Sequence, residues 1–231
     1  MAVEPIDALR RVGQSMTMGV SSLPAVKWAP RLKLELYEEP EQFDLVLVSN
    51  IQHDLSQAER ADLMRDLWSR CKGVMIVVEP GTPSGFEPIA EARETLLLEG
   101  DARVAAPCPH SKQCPMTTPA ASQDWCSMVQ RHVAPSFQIT ATNRDRASDS
   151  IDWKFSYVAF ARPSLYDADV VPTDEKIPNW GRLVRSPIKR SGHVLLDLCT
   201  AEGDLERRVV AKSHGEPGGY RAGRAIEWGD A

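Results

Sequence analysis

Two nearly uninterrupted apolar runs, Phe43–Ser49 (FDLVLVS) and Val74–Val78 (VMIVV), flank a single amphipathic segment. Continuous apolarity, in place of strict alternation, predicts strands buried on both faces of a parallel sheet. Between the runs, Ser56 followed three residues later by Glu59 reads as a capping box. Leu63, Leu67 and Trp68 then recur at helical spacing from Gln57 to about Cys71, with Gly73 as the stop signal. Strand, helix, strand is a βαβ unit, and it demands a parallel sheet covered by helices. A chain of 231 residues, 42% hydrophobic and 26% charged, can bury such a core as one large domain or one domain with an appendage.

Elements on either side follow from the same periodicities. Residues 5–18 read as a helix with Ile6, Leu9, Val12 and Met16 recurring along it, and Arg31–Tyr37 alternates as a short strand. Phe86–Leu98 reads as a helix closed by Gly100, Trp125–His132 as a further helix, and Lys154–Ala161 as a strand. Residues 144–152 and 165–180 read as irregular. Val194–Leu198 and Arg207–Lys212 read as antiparallel strands around the turn AEGD. The expected division is 1–104, an α/β unit; 105–135, a cysteine-rich loop; and 136–231, the remaining strands with C-terminal β elements.

That loop, Ala105–His132, carries Cys108, Cys114 and Cys126 among Pro107, Pro109, Pro115 and Pro119. Proline fixes φ and removes a donor, so this run is neither one helix nor one strand. No apolar run approaches the roughly 20 residues of a membrane span, and the N-terminal MAVEPIDALRR has no signal-peptide apolar region. With no export signal, the five cysteines read as metal ligands and a spare. Cys108 and Cys114 form C-x5-C, Cys126 follows, and Cys199 ends a predicted strand far downstream. Four thiolates suit Zn²⁺ or an iron–sulfur cluster, and the spacing leaves both open. Cys71, between a helix and a buried strand, reads as a core thiol. His110 reads as a residue that caps or orients the loop, with a ligand role as the alternative.

Three further places carry candidate chemistry. Asn50 and Glu79 lie just past the ends of the two apolar strands, the edge at which open α/β sheets bind ligands, although Glu79-Pro80-Gly81 also makes sense as a plain turn. Glu4 stands as an acid near the start of the chain. The segment 182–190 contains Arg182, Arg185, Lys189 and Arg190 and no acid, which suits RNA phosphate or a solvated loop. The overall charge of −5 excludes a globally basic nucleic-acid coat. Residues 1–101 hold 10 basic and 17 acidic side chains and the remainder 17 and 15, so any RNA contact is a local patch of the C-terminal half.

Several strings now combine: VEPGTPSGFEPIAEAR (78–93), VAAPCPHSKQCP (104–115), DWC (124–126) with Gln130 and Arg131, KFSYVAFAR (154–162), HVLLDLCT (193–200) and YRAGRAIEWGD (220–230). In this order they resemble the methyltransferase-like family of small-subunit ribosome assembly proteins, found in mitochondria and bacteria. The resemblance implies a class I methyltransferase-like (Rossmann-like) α/β sheet with a cysteine-rich metal-binding insertion and C-terminal antiparallel β elements. It implies partners among the small-subunit rRNA and ribosomal proteins, and a place in the mitochondrial matrix or a bacterial cytoplasm. It also implies a 4Fe–4S cluster on Cys108, Cys114, Cys126 and Cys199, and leaves Cys71 out.

One departure from the family pattern bears on catalysis. A methyltransferase sheet starts with a strand and a glycine-rich turn that admits the cofactor. Before Phe43 the only glycines are Gly13 and Gly19, with no D-x-G-x-G-x-G. The sheet is therefore expected to be N-terminally incomplete, with Glu4 where the ribose-binding acid falls. Truncation, a second polypeptide supplying the strand, or loss of S-adenosylmethionine binding would each account for it. The family's alternative activity, S-adenosylmethionine-dependent rRNA methylation, would place Glu4, Asn50 and Glu79 around the cofactor. No catalytic residue is identifiable.

Overall fold

The computed structural model describes residues 1–20, 22, 25–31, 42–99, 101–118, 124–141, 150–165, 180–213 and 218–230. The chain divides into two units, residues 1–41 and 42–231. In the first, β1 (Ala2–Val3) pairs in parallel with β2 (Trp28–Ala29), and α1 (Asp7–Thr17) connects them. Gly13 lets the helix meet the indole of Trp28, because a Cβ there would fall 2.1 Å from the ring. The strand expected at 31–37 lies outside the described residues, apart from its first residue.

In the second unit, β3 (Phe43–Ser49), α2 (Gln57–Arg70) and β4 (Cys71–Pro80) form the βαβ unit, and β3 and β4 pair in parallel. The capping box forms as expected. Ser56 accepts from the Glu59 backbone N–H, and the Glu59 carboxylate accepts from the Ser56 backbone N–H at 2.8 Å. The helix then stops earlier than its stop signal suggested. Cys71 already begins β4, and Gly73 lies inside the strand, where a Cβ would come within 2.1 Å of the Asp44 carbonyl oxygen. Its glycine serves the close approach of β3 to β4 and not the end of a helix.

The next elements are α3 (Pro83–Glu99), β5 (Arg103–Ala106), β6 (Met128–Val133), α4 (Ser136–Ala141) and β7 (Ser150–Ala161). The sheet order is β3-β4-β7-β5, with β6 also on β7. It is mixed, not wholly parallel: β7 runs antiparallel to β4, β5 and β6. Along one edge of β7, β5 and β6 follow each other end to end, opposite Ala159–Ala161 and Ser150–Phe155. The stretch expected as a helix at 125–132 is largely β6, because β7 offers it a free ladder of backbone partners.

Met75, Val77, Met64, Trp68, Ile89, Leu96, Val158 and Phe160 form the core between this sheet and the helices α2 and α3. The reading of β3 as buried on both faces is corrected here. It is the edge strand, Val48 is its one buried residue, and Leu45 and Leu47 are 60% and 64% exposed. Val46 and Val48 alternate toward the helices, while the face carrying Leu45 and Leu47 is open.

A second sheet holds β8 (Arg182–Leu183), β9 (Ile188–Lys189), β10 (His193–Cys199) and β11 (Leu205–Ala211). β10 and β11 form the expected antiparallel pair, and β8 and β9 share the other edge of β10. Leu183, Val194, Leu196 and Leu198 make its core with Tyr220 of α5 (Gly219–Ala225) and Ile226. No helix among the described residues is long and apolar enough to cross a membrane.

Candidate metal centre

The cysteine loop, Pro107–Ser127, leaves the edge of β7 between β5 and β6 and turns toward the second sheet. Each end is fastened. Ser156 donates through its hydroxyl to the Cys126 carbonyl at 2.8 Å, and the Trp125 indole N–H donates to the Gly81 carbonyl at 3.0 Å. At the far side, Lys112 Nζ donates to the Glu202 carbonyl in the β10–β11 turn. Arg185 pairs with both Asp124 of the loop and Asp197 of β10.

This folding brings Cys108, Cys114, Cys126 and Cys199 to the wall of one cavity of about 30 Å³. Phe86, Ile89, Met116 and Val184 supply its apolar lining, and Tyr157, Arg93 and Arg182 its polar one. All four thiols are free of disulfides, and Cys71 lies apart in the main core at 1% exposure. Among the described residues no three His, Cys, Asp or Glu side chains converge on a single-ion site.

Burial dominates the thiols' protonation. It raises the pKa of Cys108 and Cys114, and that of Cys199 to about 12, with Cys108 and Cys114 adding to the Cys199 shift. Cys126 is raised by burial and then by its three fellow thiols. Without a cation such groups stay protonated, and a bound metal reverses that balance by taking thiolate. Arg93 works in the same direction, favouring the thiolates of Cys108, Cys114 and Cys199. A soft, anionic donor set with a buried guanidinium beside it fits a thiolate-ligated metal group.

Arg93 was not visible as a site residue, though a signal existed. It follows Phe86, Ile89 and Ala90 along one stripe of α3, a charge on an otherwise apolar face that is 5% exposed. It donates to the carbonyls of His110, at 3.1 Å, and Lys112. Burial, and then Arg93, lowers the pKa of His110 to about 4, so its ring is neutral at pH 7.

The basic segment divides in two. Arg182 turns inward, lining the cavity, donating from Nε to the Pro107 carbonyl and from its terminal nitrogen to the Gly229 carbonyl. Arg185 is engaged by its two aspartates. A count of charges along the chain cannot see these acceptors. Lys189 and Arg190 are exposed, beside the turn at Gly192. There Lys212 donates its backbone N–H to the Gly192 carbonyl, and Arg224 donates to the Arg190 carbonyl. Lys212 and Arg224, both exposed, extend that basic end and were missed because they lie in separate elements.

The expected cofactor residues serve the backbone. Glu79 is fully buried, and its Oε1 accepts from the N–H groups of Ile51 at 3.1 Å and Gln52 at 3.0 Å, bracing the turn after β3. Its Oε2 has only His53 Nδ1, 3.5 Å away, and the buried Gln52 amide has no partner. Asn50 is exposed at φ 54°, in the left-handed region that Asn tolerates. Glu4, in the first unit, accepts from the Ile6 N–H at 2.8 Å as α1 begins.

Comparison with known proteins adds a lineage. The whole chain, residues 1–231, matches the family described as Rsm22, mitochondrial small ribosomal subunit Rsm22. The chain is 31% identical over 218 residues to the Rsm22-cox11 tandem protein 2, mitochondrial, of Schizosaccharomyces pombe, covering 82% of this chain and 29% of that protein. It is 30% identical over 200 residues to the human ribosome assembly protein METTL17, mitochondrial, covering 82% and 39%. To the ribosome assembly protein RSM22, mitochondrial, of Saccharomyces cerevisiae it is 24% identical over 295 residues, covering 87% and 45%. The chain thus spans less than half the length of each of these relatives.

Proposed function

Since the chain belongs to the Rsm22 family, we propose that it acts in assembly of the mitochondrial small ribosomal subunit, in the mitochondrial matrix, as a binding protein. Its fold is class I methyltransferase-like, its cysteine loop holds a 4Fe–4S cluster, and its basic end contacts small-subunit rRNA. Residues 1–104 are the partial methyltransferase-like domain, 105–135 the metal loop, and 136–231 the remaining strands with the β extension. The observation that carries the reading is four thiols, Cys108, Cys114, Cys126 and Cys199, on the wall of one cavity, a soft donor set that suits an iron–sulfur cluster, with zinc as the alternative. Bound there, the cluster would supply folding energy to the joint between the two sheets.

The relatives named as ribosome assembly proteins support the assembly role. The parallel β3–β4 pair beside antiparallel β7, with α2 and α3 on one face, supports the methyltransferase-like sheet. Lys189, Arg190, Lys212 and Arg224 support an RNA-facing end. The test is anaerobic purification followed by iron and sulfide assay, absorbance near 400 nm, and binding to small-subunit rRNA with and without the cluster. Brown protein that binds RNA only when loaded is expected. Colourless protein with stoichiometric zinc would sink the cluster, and RNA affinity indifferent to its removal would sink the docking role.

A second reading is an active S-adenosylmethionine-dependent rRNA methyltransferase. The unpartnered polar atoms of Glu79 and Gln52 at the carboxyl edge of β3 and β4 favour it. Calorimetric titration with S-adenosylmethionine separates the two, and saturable binding would move the chain to the enzymes.

A further inference from the structure

His110 is buried beside the fourth thiol, and its two ring nitrogens face different partners. Nε2 stands 3.4 Å from Cys199 Sγ, and Nδ1 stands 3.4 Å from a terminal nitrogen of Arg93. That terminal nitrogen has two hydrogens, which the His110 and Lys112 carbonyls take, so the ring's proton is set from the sulfur side, where a ligated thiolate can only accept. With Cys199 as a thiolate ligand, the nitrogen that faces it, Nε2, carries a proton directed at the sulfur. The ring cannot easily turn. Arg93 is pinned by the carbonyls of His110 and Lys112, and Lys112 by the Glu202 carbonyl. Across the ring, a Cβ on Gly203 would lie 3.5 Å from His110 Cε1, so the β10–β11 turn closes against the imidazole.

We propose that His110 is a positioning residue for the cluster: its Nε2–H donates to the Cys199 thiolate, holding that ligand and raising the cluster's reduction potential. The inference rests on the iron–sulfur reading above. A hydrogen bond to a ligating sulfur draws electron density from it, which makes the cluster easier to reduce. It also restrains the one ligand contributed by a distant element, Cys199 at the end of β10. Arg93 acts through the backbone, holding the His110 carbonyl and with it the ring beside Cys199, as outer partners of metal-bound side chains do.

The test uses the full chain with its cluster reconstituted, as wild type, His110→Phe and His110→Gln. Glutamine places an N–H near the position of Nε2, whereas phenylalanine keeps the ring and removes the donor. Potentials are read by dithionite titration followed by electron paramagnetic resonance, and cluster retention by decay of the 400 nm band under a chelator. His110→Phe is expected to titrate at a more negative potential and to lose its cluster about 10- to 100-fold faster. His110→Gln should recover part of both. A His110→Phe protein with wild-type potential and retention overturns the inference while leaving the cluster assignment intact. Wild-type protein that takes up no iron removes the cluster reading and this one together. Should His110→Phe fail to fold, the comparison passes to His110→Gln against His110→Asn, whose shorter side chain cannot reach the sulfur. Equal potentials in those two overturn the inference.

Discussion

Arg182 Nε donates to the carbonyl oxygen of Pro107 at 3.0 Å, fastening the second sheet to the first residue of the cysteine loop. Arg182 also stands opposite Cys199 in the β8–β10 ladder. A residue held in this way faces the thiol cavity, which sets it with the proposed metal centre. Arg182→Ala is expected to lower metal content and thermal stability. Its residual rRNA binding, measured on the loaded fraction, should keep the wild-type salt dependence. Lys189→Ala/Arg190→Ala should do the reverse: full metal content, weaker binding, and a salt slope reduced by about 1 for each charge removed. Filter binding across a salt series reads both. An unchanged slope in the double variant would detach the basic end from RNA.

Cysteines in the two cores should respond differently. Cys114→Ser removes a proposed ligand, and because metal-binding energy is folding energy it should abolish metal uptake and lower the melting temperature together. Cys71→Ala removes one buried sulfur from the main core, costing about 1 kcal/mol, with metal stoichiometry unchanged. Metal analysis beside urea denaturation tells them apart, and loss of metal from Cys71→Ala would contradict the assignment of ligands.

Asp197 couples β10 to its neighbours, accepting from Arg207 at 2.6 and 2.9 Å and from Arg185 at 3.1 Å. Arg207 first, and then Arg185, holds its carboxyl below the ordinary carboxylate range. A depressed folded-state pKa means stability that is present above the unfolded value, near 4, and is lost as pH falls through the folded one. Asp197→Asn should therefore cost about 1–3 kcal/mol at pH 7. The gap from wild type should close as pH falls below the wild-type carboxyl's own pKa. Chemical denaturation at several pH values follows it, and a gap independent of pH would remove the ion pairs as its cause.

Local chemistry was the legible part of this chain. Ser56 and Glu59 make a helix start that needs nothing beyond four consecutive residues, and the strand at 43–49 begins and ends where its apolar run does. What that run could not tell was how many neighbours the strand has. Leu45 and Leu47 are open because the sheet ends at β3, a property of strand order. Residues 128–133 carry no alternating pattern, and only β7 beside them makes them a strand. Gly73 reads as a helix stop by type, yet it answers to the Asp44 carbonyl of another strand. At the site, cysteine spacing pointed to four candidate ligands, while Arg93 depended on knowing which face of α3 meets the loop.

The end-to-end placement of β5 and β6 along β7 bears on how so long a loop could hold the metal proposed for it. Ala106 lies opposite Ala159 and Met128 opposite Phe155, four positions away on one strand. At about 3.4 Å per residue the two mouths of the loop are held roughly 14 Å apart by the sheet itself. Ring closure, the entropic cost that grows with loop length, is thus largely met by backbone pairing before any metal arrives. The metal need order only the interior of the excursion and recruit Cys199. The sheet would remain one continuous edge if the excursion were shortened, so the cysteine loop is a graft on a finished frame.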